Sequence, residues 1–498
     1  MTQPTADELL DLDQVVIDPA LALRIPASLA LRRQVLPFAE LDGRVYVACL
    51  DEKDATAIEA VQRAVHRPVQ PMRADPDSLR QALNRIFSSS GTTAATGRRL
   101  GDARVDKDRE EEGSVALGDE LMQAAIVRQA SDIHLDPDEK KLQVRFRVDG
   151  VLEKFRELPI NVHNGLISRF KVLAGMDIAE KRAPQDGRFS HRSGPTSQAM
   201  DIRVATLPTK YGERMTLRLL AMQTESLTLE KLGMLARDLD CFTSAIHKPH
   251  GMILLTGPTG SGKTTTLYAA IRRLIRERSL NIITIEDPIE YNIAGVAQVE
   301  VDSADKVTFD KALRSSLRHD PDVVMIGEIR DRETADVAIK AALTGHLVFS
   351  TLHTNSAPSA VTRLIDMQVE RYLVAATLRL AVAQRLVRRL CPRCRSARAL
   401  TAAEAGTLGR TTAAGETVYD PSGCIYCANR GYVGRLGLFE MLPVDELFSR
   451  SIAAGAEEAD LIAEMRTRSM PLLSDDVLNK LRDGQTSVRE ALTAVTVW

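Results

Sequence analysis

The first 87 residues mix two hydrophobic patterns. Arg44-Val-Tyr-Val-Ala-Cys-Leu50 reads as a strand after an Asp42-Gly43 turn, while Ala55 to Val65 and Ser78 to Phe87 carry apolar residues at helical spacing. Residues 1–87 therefore predict a small α/β domain. From Ser88 to Ser114 apolar residues nearly vanish, and the stretch ends in the charged run Arg104 to Glu112. Such a segment cannot offset its ordering entropy by burial, so 88–117 is expected to be a flexible linker. A coil of that length spans about 30 Å and would leave the first domain free to move. Residues 118–225 predict a second α/β domain, with a helix from Asp119 to Gln129 and a strand from Leu142 to Val148. An Asp149-Gly150 hairpin leads into Val151 to Phe155, and further strands cover Met200 to Ala205 and Arg214 to Leu220. Over 226–390 apolar strands alternate with helices, the signature of a parallel α/β sheet. A cysteine-bearing element at 391–436 and an amphipathic helical tail at 437–498 complete the chain. The fold class is thus α/β and multidomain, without internal repeats.

At 498 residues, the chain is too long for one core. Its 44% hydrophobic and 27% charged residues are ordinary for globular domains. A net charge of −2 and only 4% aromatic residues argue against the basic, aromatic-studded surface of a nucleic-acid binder, so no nucleic acid is expected. Met1 to Glu8 lacks a secretory leader pattern, and the apolar stretch Tyr372 to Val387 is interrupted by Arg379, Gln384 and Arg385. A cytoplasmic protein is expected, reaching a membrane only through a partner or a surface contact.

The clearest chemistry lies in Gly257-Pro258-Thr259-Gly260-Ser261-Gly262-Lys263-Thr264, preceded by the apolar strand Met252 to Thr256 and followed by a helix from Thr265 to Arg278. Strand, loop and helix in that order make this a phosphate-binding loop. Its glycines let backbone N–H groups converge on a phosphate, and the helix N-terminus adds its dipole. Lys263 supplies a point charge, and Thr264 is placed to ligate Mg²⁺. Residues 257–265 are therefore the candidate ATP site, Thr265 opening the helix.

Two acidic strand ends follow. Asn281 to Ile285 runs into Glu286-Asp287-Pro288-Ile289-Glu290, and Asp322 to Ile326 runs into Gly327-Glu328-Ile329-Arg330-Asp331. Ligands of open α/β sheets bind at such carboxyl edges. Glu328 is the candidate to orient the attacking water, with Glu286 as a second catalytic carboxylate. Gly327 stands where many ATPases place a Mg²⁺-directing aspartate. His346 and His353 flank a fourth strand, Leu347 to Thr351, and γ-phosphate sensing, subunit coupling or plain structural hydrogen bonding accounts for them.

Four of the six cysteines form two knuckles, Cys391-Pro-Arg-Cys394 and Cys424-Ile-Tyr-Cys427. Four thiolates can close a tetrahedral Zn²⁺ shell with no open position, which implies a structural site. Cys49 and Cys241 read as buried thiols.

Taken together these blocks resemble the secretion ATPase superfamily, specifically type II secretion ATPases and type IV pilus assembly ATPases. The resemblance covers about 118–440 and includes Ala130-Ser-Asp-Ile-His134, Arg147-Val-Asp-Gly150, Gln185-Asp-Gly187, Gly212-Glu-Arg214 and Thr344 to His353. It implies a RecA-like P-loop ATPase domain, preceded by a PAS-like domain and a small N-terminal docking domain. It also implies a homohexamer, a glycine before the catalytic Glu328, and arginine fingers at Arg203 and Arg218, with Arg314, Arg318 and Arg330 as weaker candidates. The implied partners are inner-membrane platform proteins bound through the N-terminal domain, and acidic phospholipid is a further contact. The cysteine element followed by Gly431-Tyr-Val-Gly-Arg435 resembles secretion and pilus-extension members rather than retraction ones. Type II secretion is the leading reading. Type IV pilus extension and a DNA-uptake or nucleic-acid translocase are the alternatives.

Overall fold

The computed structural model describes residues 9–87, 103–192, 200–219, 228–301, 307–409 and 411–495. The chain divides into two compact units. One is Met1–Met222 with Cys391–Ser396 and Pro421–Val433; the other is Gln223–Leu390, Ala397–Asp420 and Gly434–Trp498.

In the first unit, β1 (Val35–Leu41), β2 (Arg44–Cys49) and β3 (Val69–Arg73) form a three-stranded sheet. β1 and β2 pair antiparallel, whereas β2 and β3 pair parallel because the helix Ala55–Val65 crosses between them. That helix and Pro76–Phe87 bury Val61, Val65, Leu79, Leu83 and Ile86 against Phe38, Val45 and Val47.

The second sheet of this unit has six strands: β4 (Asp132–Pro137), β5 (Lys141–Val148), β6 (Val151–Pro159), β7 (Gln185–His191), β8 (Met200–Thr209) and β9 (Gly212–Leu219). Their order is β6-β5-β4-β9-β8-β7, antiparallel throughout. The β5–β6 turn has Asp149 at φ 50° and Gly150 at φ 85°, the left-handed pair that a two-residue hairpin requires. Alternate residues Leu142, Val144, Phe146 and Val148 of β5 are buried with Leu121, Ala125, Leu166 and Phe170 from the helices Ala103–Val127 and His163–Leu173. The opposite face of the sheet carries the polar residues.

The linker expectation needs correction. Residues 103–127 form one helix. The charged run within it is rich in Glu, Lys and Arg, strong helix formers, with neither Gly nor Pro until Gly113. Residues 88–102, the rest of the expected linker up to that helix, lie outside the described residues. The first domain is also not free. Gln123 Nε2 donates to Arg85 O at 2.7 Å, and Arg128 Nη2 donates to Asp18 Oδ1 at 2.8 Å.

The second unit is built on a seven-stranded sheet. Its strands are β10 (Gly251–Thr256), β11 (Ile282–Glu286), β12 (Ala297–Glu300), β13 (Val323–Ile326), β14 (Leu347–Leu352), β15 (Leu378–Leu390) and, after the small pair β16 (Ser396–Ala399) and β17 (Thr417–Asp420), β18 (Tyr432–Pro443). The order is β12-β11-β13-β14-β10-β15-β18, with β12 through β15 running parallel. Met252 and Leu254 of β10 enter one core and Ile253 and Leu255 the other, so helices cover both faces of the sheet. The Tyr372 to Val387 stretch divides between the helix Arg371–Thr377 and β15, and its polar residues Arg379, Gln384 and Arg385 all fall on the strand. Among the described residues no helix is long and apolar enough to cross a membrane. The tail forms the helices Glu446–Ala454, Glu458–Thr467, Leu473–Arg482 and Val488–Val495. Within the third of these, Lys480 and Asp476 are fully buried and paired at 2.5 Å.

Candidate functional site

The parallel order brings the carboxyl ends of β10, β11, β13 and β14 to one edge of the second unit. β10 hands the chain to the loop 257–262, and the helix Lys263–Glu277 begins at its end. Gly260 and Gly262 take φ of 79° and 87°, and a Cβ on Gly257 would stand 2.4 Å from Gln384 O. Pro258, Thr259 and Gly260 are exposed, while Thr264 and Thr265 are half-buried in the first turn. No side chain caps this helix, so its leading N–H groups are left for an anion. The Ser261 hydroxyl is buried without a hydrogen-bond partner. Lys263 Nζ folds back to donate to Gly257 O at 2.7 Å and Pro258 O at 3.2 Å. Burial pushes its ammonium down to about 8, against the opposing pull of Glu328. The donor set fits a phosphate chain: a preformed loop, a helix terminus, an orphan hydroxyl and a cation held by carbonyls that an anion would outcompete.

Glu328, half-buried just past β13, pairs with Arg330 and lies 3.2 Å from His353 Nε2. Arg330 also faces Asp287 at 3.5 Å. Glu286, at the end of β11, is 2% exposed and meets only neutral donors. Its oxygens accept from Thr284 Oγ1 at 2.6 Å, Gln298 Nε2 at 3.2 Å and the Tyr268 hydroxyl. Burial raises the Glu286 carboxyl above its ordinary value. A Cβ at Gly327 would approach Ile285 O to 3.3 Å and Glu286 Cα to 3.5 Å, so the packing of β13 on β11 favours glycine where an aspartate was looked for. The two histidines separate. His353 joins the acids, whereas His346, at the opposite end of β14, bonds to Ala341 O at 3.0 Å and Thr344 Oγ1 at 3.2 Å. Arg318, in the turn after the helix Phe309–Ser316, bonds back to Arg314 O at 3.1 Å.

In the first unit, Arg203 and Arg218 belong to one row across the polar sheet face. Arg188, Arg203, Arg218, Asp132 and Arg147 are successive partners on β7, β8, β9, β4 and β5. Arg218 Nε donates to Asp132 Oδ1 at 3.0 Å, and Arg147 stands 3.6 Å from the other oxygen. The resemblance assigns a role to Arg203 and Arg218, whereas Asp132 and Arg147 enter only inside its motifs and Arg188 beside one, with no role given to any of the three. The period-two alternation of the strands was the available signal, once the register was known.

The four cysteine sulfurs all lie within 4.8 Å of one another. The separations Cys391–Cys424, Cys394–Cys427 and Cys424–Cys427 are 3.8, 3.9 and 3.7 Å. A tetrahedral Zn–S₄ shell at bond lengths of about 2.3 Å has edges of about 3.8 Å, so the residues fit that metal. Hydrogen bonds from Cys391 and Cys424, helped by the N–H groups of Gly431 and Cys424, push the Cys427 thiol far down toward thiolate. The element seats on the N-terminal domain: Ile425 enters its core, and Val16 N–H donates to Tyr426 O at 2.9 Å. Arg393 lies over the Tyr426 ring at 4.1 Å. Residues 397–420, expected within this element, group instead with the second unit.

Two family descriptions match the chain, "Type II/IV secretion system protein" over residues 108–493 and "MshEN domain" over 7–93. It is 43% identical over 484 residues to Type II secretion system protein E of Pseudomonas aeruginosa, covering 94% of this chain and 95% of that one. It is 38% identical over 507 residues to the type IV pilus assembly ATPase PilB of Myxococcus xanthus, covering 97% and 88%. Among solved structures, the pilus retraction motor PilT with bound ADP aligns at a TM-score of 0.53 and 28% identity, covering 76% of this chain and 96% of that one.

Proposed function

The chain belongs to the Type II/IV secretion system protein family, and from that premise we propose that it is the ATP-hydrolysing motor of a type II secretion system. In this reading it works as a cytoplasmic hexamer, and its domain motions drive pseudopilus growth and protein export. The observation that carries the enzymatic part is Lys263 turned onto the carbonyls of Gly257 and Pro258, at the strand edge where Glu328 stands beside His353 and Arg330. The higher identity to a type II protein E, 43% against 38% for the pilus assembly ATPase, supports the choice of machine.

Residues 257–265 hold the nucleotide, with Lys263 on the β- and γ-phosphate oxygens. Glu328 orients the attacking water and takes up its proton. Thr264 would hold Mg²⁺, which when bound neutralises phosphate charge. Glu286, pinned by neutral donors, sets the end of β11 rather than touching substrate. Arg203 and Arg218 neutralise developing phosphate charge, the fixed planar fork of arginine suiting that task. Cys391, Cys394, Cys424 and Cys427 hold a structural Zn²⁺. The N-terminal domain docks an inner-membrane platform protein, and acidic phospholipid adds to that surface contact.

Three measurements test this. Nucleotide binding needs the Lys263 ammonium, which titrates near 8 in the free protein. ADP affinity should therefore fall as pH rises above that value, by about tenfold per pH unit. A flat profile from pH 7 to 10 would contradict the lowered ammonium value of Lys263. ATPase rates should rise with the platform protein's cytoplasmic domain plus acidic vesicles; stimulation by DNA instead would favour the translocase alternative. Cys391→Ser should lose zinc and solubility before any chemical step, and well-folded wild-type protein without zinc would contradict the metal assignment.

A further inference from the structure

β15 carries two adjacent polar side chains in a buried strand, Gln384 at 2% and Arg385 at 5% exposure. Gln384 Oε1 accepts from Thr266 Oγ1 at 2.9 Å, in the first turn after the phosphate loop. A Cβ on Gly262 would stand 2.9 Å from Gln384 Nε2, and one on Gly257 would stand 2.9 Å from Arg385 Nη1. The loop therefore rests directly on this pair. Arg385 Nη1 donates to Gln384 O at 3.0 Å, which fixes one arm of the guanidinium under the loop. Its other arm, Nη2, donates to Asn355 O at 3.0 Å and Asn355 Oδ1 at 3.2 Å.

Asn355 comes two residues after His353, whose ring faces Glu328. One rigid guanidinium thus touches both the floor of the phosphate loop and the turn that carries His353. The buried counter-charge is Glu440, which accepts from Ala357 N–H at 2.7 Å and Leu473 N–H at 2.9 Å. That carboxylate joins the same turn to the start of the helix Leu473–Arg482. A planar fork with fixed donor directions can hold two backbone segments in register, which a flexible ammonium cannot.

We propose that Arg385 is a positioning residue for ATP hydrolysis: it holds the phosphate loop and the His353 turn in one geometry, so that nucleotide seated at Lys263 meets an aligned Glu328. The proposal rests on the ATPase reading of the same site. Arg385 lies behind the loop and acts through Gly257 and Asn355.

The test uses the full-length protein with Arg385→Lys, Arg385→Gln and Asn355→Ala, reading kcat, KM, ADP affinity and the thermal midpoint. Arg385→Gln should lower kcat about 30-fold and weaken ADP binding about tenfold, since both charge and fork are lost. Arg385→Lys should keep ADP affinity within about threefold yet lower kcat about tenfold, since only the fork is lost. Asn355→Ala strips no buried charge and should lower kcat about fivefold with ADP affinity unchanged. If Arg385→Gln does not fold, the other two variants decide. A kcat within about twofold of wild type in both, with or without a lower thermal midpoint, overturns the proposal. Wild-type protein that binds ADP but hydrolyses no ATP would remove the proposed function together with this role, whereas an active wild type beside unaffected variants removes only the role of Arg385.

Discussion

β11 and β13 are neighbouring parallel strands that both end in a glutamate, yet the two acids live in opposite electrostatic settings. Glu286 is sealed at 2% exposure among a threonine, a glutamine and a tyrosine, with burial raising its carboxyl. Glu328 keeps contact with solvent and has a cationic partner in Arg330, with the His353 ring 3.2 Å away. Neutral donors fix a carboxylate in place, whereas cationic partners on an accessible one leave a charged group that can re-pair when substrate arrives. Position at a strand's carboxyl edge therefore nominates an acid for catalysis, and the charge of its neighbours decides whether it fills that role.

The sharpest break between the two would come from Glu328→Gln, expected to lower kcat by about 10²–10⁴-fold while an ATP analogue still binds within about threefold of wild type. Steady-state turnover and a binding titration check this, and normal turnover would refute the assignment. His353→Asn removes the ring nitrogen that faces Glu328 and should cost about tenfold in kcat, with little change in KM. Glu286→Gln should leave kcat within about threefold, because its partners are uncharged. An equal loss in the Glu286 and Glu328 variants would erase the distinction. Tyr268→Phe strips a donor from a buried carboxylate and should lower stability by about 1–3 kcal/mol in denaturant unfolding, with kcat little altered.

The smallest effect is a pH slope. Glu286 has a folded-state value above its ordinary 4.5. The folded chain therefore binds more protons than the unfolded one between these values, and the stability tied to Glu286 is complete below 4.5 and fades as pH rises through the raised value. Glu286→Gln should gain on wild type across that window, read as converging or crossing denaturant midpoints. Parallel curves would show that burial does not bias this carboxyl.

The chemistry that was legible in sequence is the chemistry written locally. The phosphate loop, Glu328 and the paired cysteines each occupy a short run whose flanks declare a strand, a turn or a knuckle. The partners of Glu286 and of the loop come from other elements: Tyr268 from the helix Lys263–Glu277 before β11, Gln298 from β12, and Gln384 and Arg385 from β15. Only strand order joins them, and strand order is not written in any one segment. A trace was nonetheless present. Gln384 and Arg385 interrupt an apolar stretch, and that interruption spoke against a membrane span when it also marked buried polar positions in a central strand. The charged run 103–112 misled in the opposite way. Lack of apolar residues argued for coil, while the helix propensity of Glu, Lys and Arg carried the helix Ala103–Val127 through it.

Ile425 stands between two knuckle cysteines yet fills the core of the N-terminal domain, where Val16 also bonds to Tyr426 O. This has a hereditary consequence. A lineage that discarded residues 1–87 would leave an isoleucine and a backbone carbonyl without cover, and one that discarded the knuckles would open a hole in the remaining domain. The two parts should be kept or shed together in descent, with position 425 turning polar wherever the N-terminal domain is gone.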